Sequence, residues 1–269
     1  IMTDRRYSNL WIVDVDGKNH RPLTTGHRND RSPRWSPNGS KLIYVSNTEG
    51  SSEIYMRWMD SGQTARLTNV RYSPSGISWS SDGKMIAFNM FVKKEPSSPA
   101  EMPDKPAGAK WADPPKVIDK MIYRADGSGY RENGFYHIFT LPAVGGTPRQ
   151  ITSGDYHHGG SVEWTVDGSA LIFSANRRDD WEHEGRDSEV YEISAKNGSL
   201  SQITNRKGPD SAPSLSPDGK NIAYTGYDDR YQGYQVSHLY TINREGTASK
   251  RITGSLDRSV ENIVWSKDG

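Results

Sequence analysis

The chain has 269 residues, no cysteine, and 34 Lys plus Arg against 33 Asp plus Glu, a formal net charge of +1. So even a balance gives no electrostatic footprint for nucleic acid or an anionic membrane surface, and without cysteine there are no disulfides, thiolate ligands or thiol nucleophiles. Only 33% of the residues are apolar and mean hydropathy is −0.83; no apolar run reaches membrane-spanning length, and so lean a chain suits thin, loop-rich modules better than one thick core.

In chain order the first pattern is an apolar-aromatic pair, Leu10-Trp11, then the turn DVDGKN and an apolar-Thr pair, Leu23-Thr24. Next comes WSPNGSKLIYVS at 35–46, which reads as a tight hairpin: an aromatic ends one strand, turn residues follow, and Leu42 and Tyr44 alternate as on a half-buried strand. In such a turn Pro presets φ at the second position, Asn or Asp bonds back to nearby backbone, and Gly takes a left-handed conformation. Ile54-Tyr55, MDSGQ and Leu67-Thr68 follow, then a second hairpin, WSSDGKMIAFNM at 79–90. The alternation continues with Ile138-Phe139, AVGGT, Ile151-Thr152 and WTVDGSALIFSA at 164–175. It returns as Val190-Tyr191, AKNGS, Ile203-Thr204 and LSPDGKNIAYTG at 215–226, and again as Leu239-Tyr240, NREGT, Ile252-Thr253 and WSKDG at 265–269.

The register barely varies. From each aromatic to the Thr of the following pair the distance is 13 residues all five times, and from that Thr to the next turn Gly it is 15 or 16. Two hairpins per unit of roughly fifty residues make four antiparallel strands, a to d, the blade of a β-propeller. The predicted fold is therefore all-β, a propeller of four-stranded antiparallel blades with almost no helix. Trp35, Trp79, Trp164, Leu215 and Trp265 hold equivalent positions on strand a. The expected units are a partial blade at 1–27, complete blades at 28–71, 72–155, 156–207 and 208–256, and a partial blade at 257–269, the layout of a piece cut from a longer protein.

Length variation is confined to the b–c connections, where the counts from turn Gly to c-strand aromatic are 16, 56, 23 and 21. Antiparallel order puts these loops and the d–a loops on one face, where binding residues held by a rigid scaffold are expected. The longest is the insertion at 92–130. Its first part is Pro-rich and charged, so Lys93 to Gly108 is expected to be the mobile half. Val117 to Leu141 alternates like a strand pair around Asp126-Gly127-Ser128-Gly129 and is predicted to be an ordered hairpin extending or capping the blade. Trp111, alone amid Lys, Asp and Pro, is expected to be at least half buried as an anchor, with Tyr123 and Arg124 in the same interface-forming element.

Two charged b–c loops supply the substrate-binding candidates. NRRDDWEHEGRDSE offers Arg177, Arg178, Asp179, Asp180, Trp181 and Glu182, and GYDDRYQGYQ offers Tyr227, Asp228, Asp229 and Arg230. Carboxylates facing an enclosed cavity can hold an ammonium, and arginines a carbonyl or carboxylate. The competing reading is a solvated loop whose charges pair with one another or against another domain. No catalytic residue is assigned: the string nearest to a G-x-S-x-G nucleophile elbow is GISWS, Gly76 to Ser80, which lacks the last Gly and falls in a strand a. His157 and His158, a lone pair in a d–a loop, read as hydrogen-bonding residues of a blade seam; no metal or cofactor is implied.

GAKWADPPKVIDKMIYRADGSGY, SGDYHHGG, FSANRRDDWE and GPDSAPSLSPDGKNIAYTGYDDRYQGYQ together resemble the propeller of acylaminoacyl peptidases and related members of the prolyl oligopeptidase family, over most of the chain. The resemblance implies a propeller that precedes an α/β-hydrolase domain with a Ser-Asp-His triad, the two enclosing a site that only short peptides and their derivatives reach. For this chain it implies an inactive propeller whose partner is its own C-terminal hydrolase domain, not included here, with short or N-acylated peptides as ligands and a homo-oligomer allowed. Neither nucleic acid nor membrane is an expected partner. The compartment is open, with the cytoplasm preferred to the periplasm. The alternative is a protein-binding propeller without enzymatic activity, similar to TolB, whose blades carry the same repeat marks.

Overall fold

The computed structural model describes residues 5–95, 103–112 and 116–269. Among these residues there are twenty strands and no helix. Strands β1 (Trp11–Ile12) and β2 (Arg21–Pro22) pair alone, and β3 (Asp30–Trp35), β4 (Lys41–Glu49), β5 (Ser51–Trp58) and β6 (Thr64–Arg66) form the first four-stranded blade. Next in the chain are β7 (Ser75–Trp79), β8 (Met85–Lys93), a small hairpin of β9 (Arg124–Ala125) and β10 (Gly129–Tyr130), β11 (Gly134–Pro142) and β12 (Arg149–Gln150); the second blade is β7-β8-β11-β12. The third blade is β13 (Val162–Trp164), β14 (Ala170–Ala175), β15 (Glu189–Ser194) and β16 (Leu200–Gln202). The fourth is β17 (Asp210–Leu215), β18 (Asn221–Gly226), β19 (His238–Asn243) and β20 (Lys250–Arg251). The first strands of successive blades, β3, β7, β13 and β17, lie against one another and form the inner edge.

Each a–b turn closes on one set of bonds. In the fourth blade Gly219 N–H donates to the Ser216 carbonyl at 2.8 Å with Gly219 at φ +72°, a conformation that costs Gly little. Ser216 Oγ donates to Asp218 Oδ1 at 2.6 Å and accepts from Asn221 N–H at 2.9 Å. Ser36 with Asn38, Ser80 with Asp82 and Thr165 with Asp167 repeat the arrangement. Bonds from the Thr165 hydroxyl and from Ser169 hold the Asp167 carboxyl down at about 2.

The 13-residue register also has a bond behind it. The N–H of the residue before each c-strand aromatic (Leu10, Ile54, Ile138, Val190, Leu239) donates to the Oγ1 of the Thr that ends strand d, at 2.9 Å in all five units. The hydroxyl stands in for a ladder carbonyl where the outer strand turns away, so no buried N–H is left unpaired.

The half-buried alternation expected for strand b does not hold. Leu42, Ile43, Tyr44 and Val45 are all at most 3% exposed, because each blade is covered on both sides. Ile43 and Val45 join Ile86, Phe88 and Leu141 of the second blade, whereas Leu42, Tyr44 and Tyr55 pack on Leu10 of the preceding unit. Ala87 and Ile138 meet Leu171 and Phe173 of the third blade, whose opposite face sends Ile172 and Val190 to Tyr224 of the fourth. At 257–269 no strand forms, yet Trp265 Nε1 donates to the Ser214 carbonyl at 3.1 Å, just as Trp79 Nε1 donates to the Arg34 carbonyl at 3.1 Å. The equivalent position is kept without a ladder, since no described strand lies beside it to pair with.

The insertion is ordered differently from expectation. It lengthens the blade: β8 and β11 make nine registered pairs, from Lys93↔Gly134 to Met85↔Pro142, against six for the corresponding strands of the third and fourth blades. Gly134 is required there, because a Cβ would fall 2.3 Å from the Val92 carbonyl oxygen. The predicted hairpin shrinks to β9–β10, and 117–123 forms no strand, for no second sheet covers its apolar residues; Met121 is 58% exposed. Trp111 is 43% exposed, so just over half of it is covered, as expected, at the protein surface. Lys93 belongs to β8, and 96–102, in the half expected to be mobile, lies outside the described residues.

Candidate functional site

Among the described residues, two recesses of about 600 Å3 lie on the face that carries the b–c loops. The first, about 620 Å3, lies between β9–β10, the extended ends of β8 and β11, and Trp181 and Glu182 of the third blade. Trp181 meets Phe135 edge-on at 6.1 Å and His157 at 5.6 Å. Glu182 Oε2 accepts from Met121 N–H at 3.4 Å, tying the third blade's loop to the insertion. Ala125, Ser128 and Tyr130 come from the hairpin; Tyr123 and Arg124 do not line the recess, although Tyr123 rests on Tyr130 at 6.1 Å and Arg124 pairs with it in the ladder.

The second recess, about 600 Å3, is polar and lined by Arg177, Arg178, Asp179 and Asp180 with Glu189 and Tyr191. Its charges are already committed. Arg178 pairs with Asp180 at 2.8 Å and Asp187 at 3.0 Å, and the Asp180 bond holds that carboxyl below the usual range. Arg177 bonds the ring nitrogen of His158 and covers the face of Tyr156 at 4.7 Å, and Tyr156 OH donates to Asp179 at 3.4 Å. Arg178 and Asp180 therefore pair within the loop, in line with the competing reading, while Arg177 and Asp179 bond His158 and Tyr156 of the preceding d–a loop.

The fourth blade's loop lines neither recess. Asp228 pairs with Arg206 at 3.3 Å. Asp229 Oδ1 accepts from Gln235 at 2.7 Å and from Tyr231 N–H at 2.9 Å; the Arg230 side chain is exposed and Tyr227 contributes backbone beside Gly208. Tyr231 of the same loop donates its hydroxyl to Glu184 Oε1 at 2.9 Å and so joins the two candidate loops.

His157 packs against Phe135 and Trp181, and His158 stacks on His137 inside the blade seam. His158 is fully buried with its backbone N–H on the Tyr136 carbonyl at 2.8 Å, and burial, then Arg177, push its pKa down to about 3. Burial, then Lys120 and Arg131, lower that of His157. GISWS is a strand whose Gly76 is packed so closely that a Cβ would lie 2.7 Å from the Gly160 carbonyl oxygen, a packing glycine and no nucleophile elbow. The described residues contain no cluster of three or more metal-ligating side chains. The residues missed by sequence reasoning are the aromatic ones: Tyr72, Phe91, Phe135 and Tyr136 lie up to 109 residues from Trp181 in the chain and share a recess only through blade packing.

Fold and decorated face define a β-propeller of SPDG-type blades. A family model described as TolB beta propeller domain matches residues 2–98, and one described as the dipeptidyl peptidase IV N-terminal region matches 114–233. An uncharacterized peptidase, YuxL of Bacillus subtilis, is 28% identical over 174 residues, covering 64% of this chain and 26% of the relative. Dipeptidyl-peptidase 5 of Porphyromonas gingivalis is 22% identical over 100% of this chain and 40% of its own length. The Tol-Pal system protein TolB of Francisella tularensis is 25% identical over 97% of this chain and 60% of its own. The acylaminoacyl peptidase of Pyrococcus horikoshii superposes with a TM-score of 0.66 at 16% identity, over 93% of this chain and 35% of that one. The chain is a β-propeller similar to those of peptidases and of TolB proteins, and it spans between about a quarter and three fifths of the relatives it matches.

Proposed function

We propose that this chain is the non-catalytic propeller of a serine peptidase, screening access to a hydrolase domain and helping to bind short or N-acylated peptides. The single observation behind the proposal is the concentration of elaboration on one face, where insertion hairpin, lengthened strands and the loop bearing Trp181 and Glu182 wall a recess of about 620 Å3. Pockets of this size on a rigid scaffold suit a small ligand better than a folded protein. The peptidase relatives support a hydrolase partner.

The test is to sequence the gene on both sides of this chain, express the whole reading frame, and assay peptide reporters of graded length. Expected are a G-x-S-x-G elbow, hydrolysis by the whole protein and none by the 269-residue chain. A reading frame without a hydrolase domain, or activity that purifies with the propeller alone, overturns the proposal. The TolB relative, which aligns along nearly the whole chain, favours one second reading, a protein-binding propeller, and the same reading frame decides between them.

A further inference from the structure

The aromatic recess has a finer chemistry than its size. Its wall is a chain of rings: Tyr72 to Phe91 at 5.1 Å, Phe91 to Tyr136 at 5.5 Å, Tyr136 to His157 at 5.9 Å, His157 to Phe135 at 5.2 Å and Phe135 to Trp181 at 6.1 Å. Phe135 is buried, but Tyr136 keeps 41% of its surface in solvent. Ring faces held open in this way gain by receiving another ring, edge-on or offset.

Two polar features flank the wall. Glu182 uses Oε2 on Met121 N–H, while Oε1 is shielded from solvent and receives no hydrogen bond. A buried carboxylate oxygen without a donor is costly, and turning the carboxyl group to put that oxygen on an incoming N–H removes the cost. On the other flank the Lys120 ammonium lies 4.5 Å from the Phe135 ring centre and 5.7 Å from that of Trp181, and Arg131 stands at the rim. The remaining acid of the lining is Glu132, and burial, then this carboxylate, raises the pKa of the Tyr72 hydroxyl. Open rings, an acceptor lacking a donor, and two cations suited to an oxygen are the complement of one peptide residue.

We propose that this recess binds a single aromatic residue of a short peptide: its ring against Tyr136, His157 and Trp181, its amide N–H on Glu182 Oε1, and its carbonyl oxygen facing Lys120 and Arg131. The proposal rests on reading this face as peptide-binding and names the residue class it selects.

The 269-residue chain contains the whole recess, so it is the protein to test, by calorimetric titration with two acetylated, amidated tripeptides, Gly-Phe-Gly and Gly-Ala-Gly. The Phe peptide is expected to bind at least ~10-fold more tightly. Trp181→Ala abolishes that preference, Trp181→Phe restores most of it, and Glu182→Ala weakens the Phe peptide several-fold. Val144→Ala, in an exposed c–d turn far from the recess, leaves it unchanged, and thermal melts establish that each variant is folded. Equal affinity for the two peptides, or a preference that survives in Trp181→Ala, overturns the aromatic assignment while leaving peptide binding by this face standing. Binding of neither peptide at millimolar concentration overturns both.

Discussion

Two residues before the c-strand aromatic stands His137 in the second blade and Glu189 in the third. Each meets the Thr that closes its blade: His137 Nδ1 lies 3.2 Å from Thr152 Oγ1, and Glu189 Oε2 accepts from Thr204 Oγ1 at 2.5 Å. Around His137 the seam to the third blade is built of imidazole, with His158 stacked at 5.2 Å and Arg177 bonded behind it. Around Glu189 the seam to the fourth blade is built of carboxylates, Asp187 and the fully buried Asp210, with Arg206 paired to Asp210. The fold asks only for a polar side chain that satisfies Thr, so its charge chemistry is free to differ between seams.

The pH responses are opposite in sign. Burial pushes His137 down to about 4 and His158 to about 3, from an ordinary 6.5. Below pH 6.5 the unfolded chain takes up protons that the folded seam refuses, so this seam loses stability as pH falls. Burial lifts Glu189 to about 7 and raises Asp210 despite Arg206. Above pH 4.5, the ordinary value for Glu, the unfolded chain releases a proton that the folded seam retains, so this seam loses stability as pH rises toward 7.

Asp210→Ala should have the largest effect, about 3–5 kcal/mol of destabilisation, because it removes the buried partner of the Arg206 guanidinium and leaves it only the exposed Asp228. Urea unfolding monitored by circular dichroism measures it, and a loss under 1 kcal/mol would show that seam not to depend on its ion pair. Glu189→Gln comes next: it should stabilise the protein at pH 8 by up to about 3 kcal/mol relative to its effect at pH 4.5. Identical effects at the two pH values would remove the carboxylate half of the contrast. His137→Asn should cost about 1 kcal/mol at pH 8 through weakened bonding to Thr152, and should recover part of the acid loss between pH 6.5 and 4. Melting curves from pH 8 down to pH 4 read both arms. Deleting 96–116 with a short linker should move the melting temperature least, by about 2 °C or less, since loop length enters closure entropy only logarithmically. A larger fall would make the insertion part of the propeller's stability.

Much of the blade was legible because its determinants are local. The Thr that receives the c-strand N–H is 14 residues away in the chain, and the turn bonds of Ser216 and Asp218 span two to five residues. Spacing and residue type therefore carry them directly. The burial of strand b was not legible in the same way: Leu42 and Ile43 look like alternate faces, and only neighbouring blades on both sides make both of them core.

Sequence alone determined the four-stranded unit, its 13-residue register and the face that bears its long loops, since each follows from hydrogen bonds within one blade or from the order of antiparallel strands. Tertiary structure decided which candidate residues meet. Trp181 and Glu182 separated from Arg177 through Asp180, and Trp181 joined Phe135, 46 residues earlier, because packing between blades sets the distances between their loops. Those distances come from side-chain volumes filling the seam, a property of two blades together that no single stretch of chain contains.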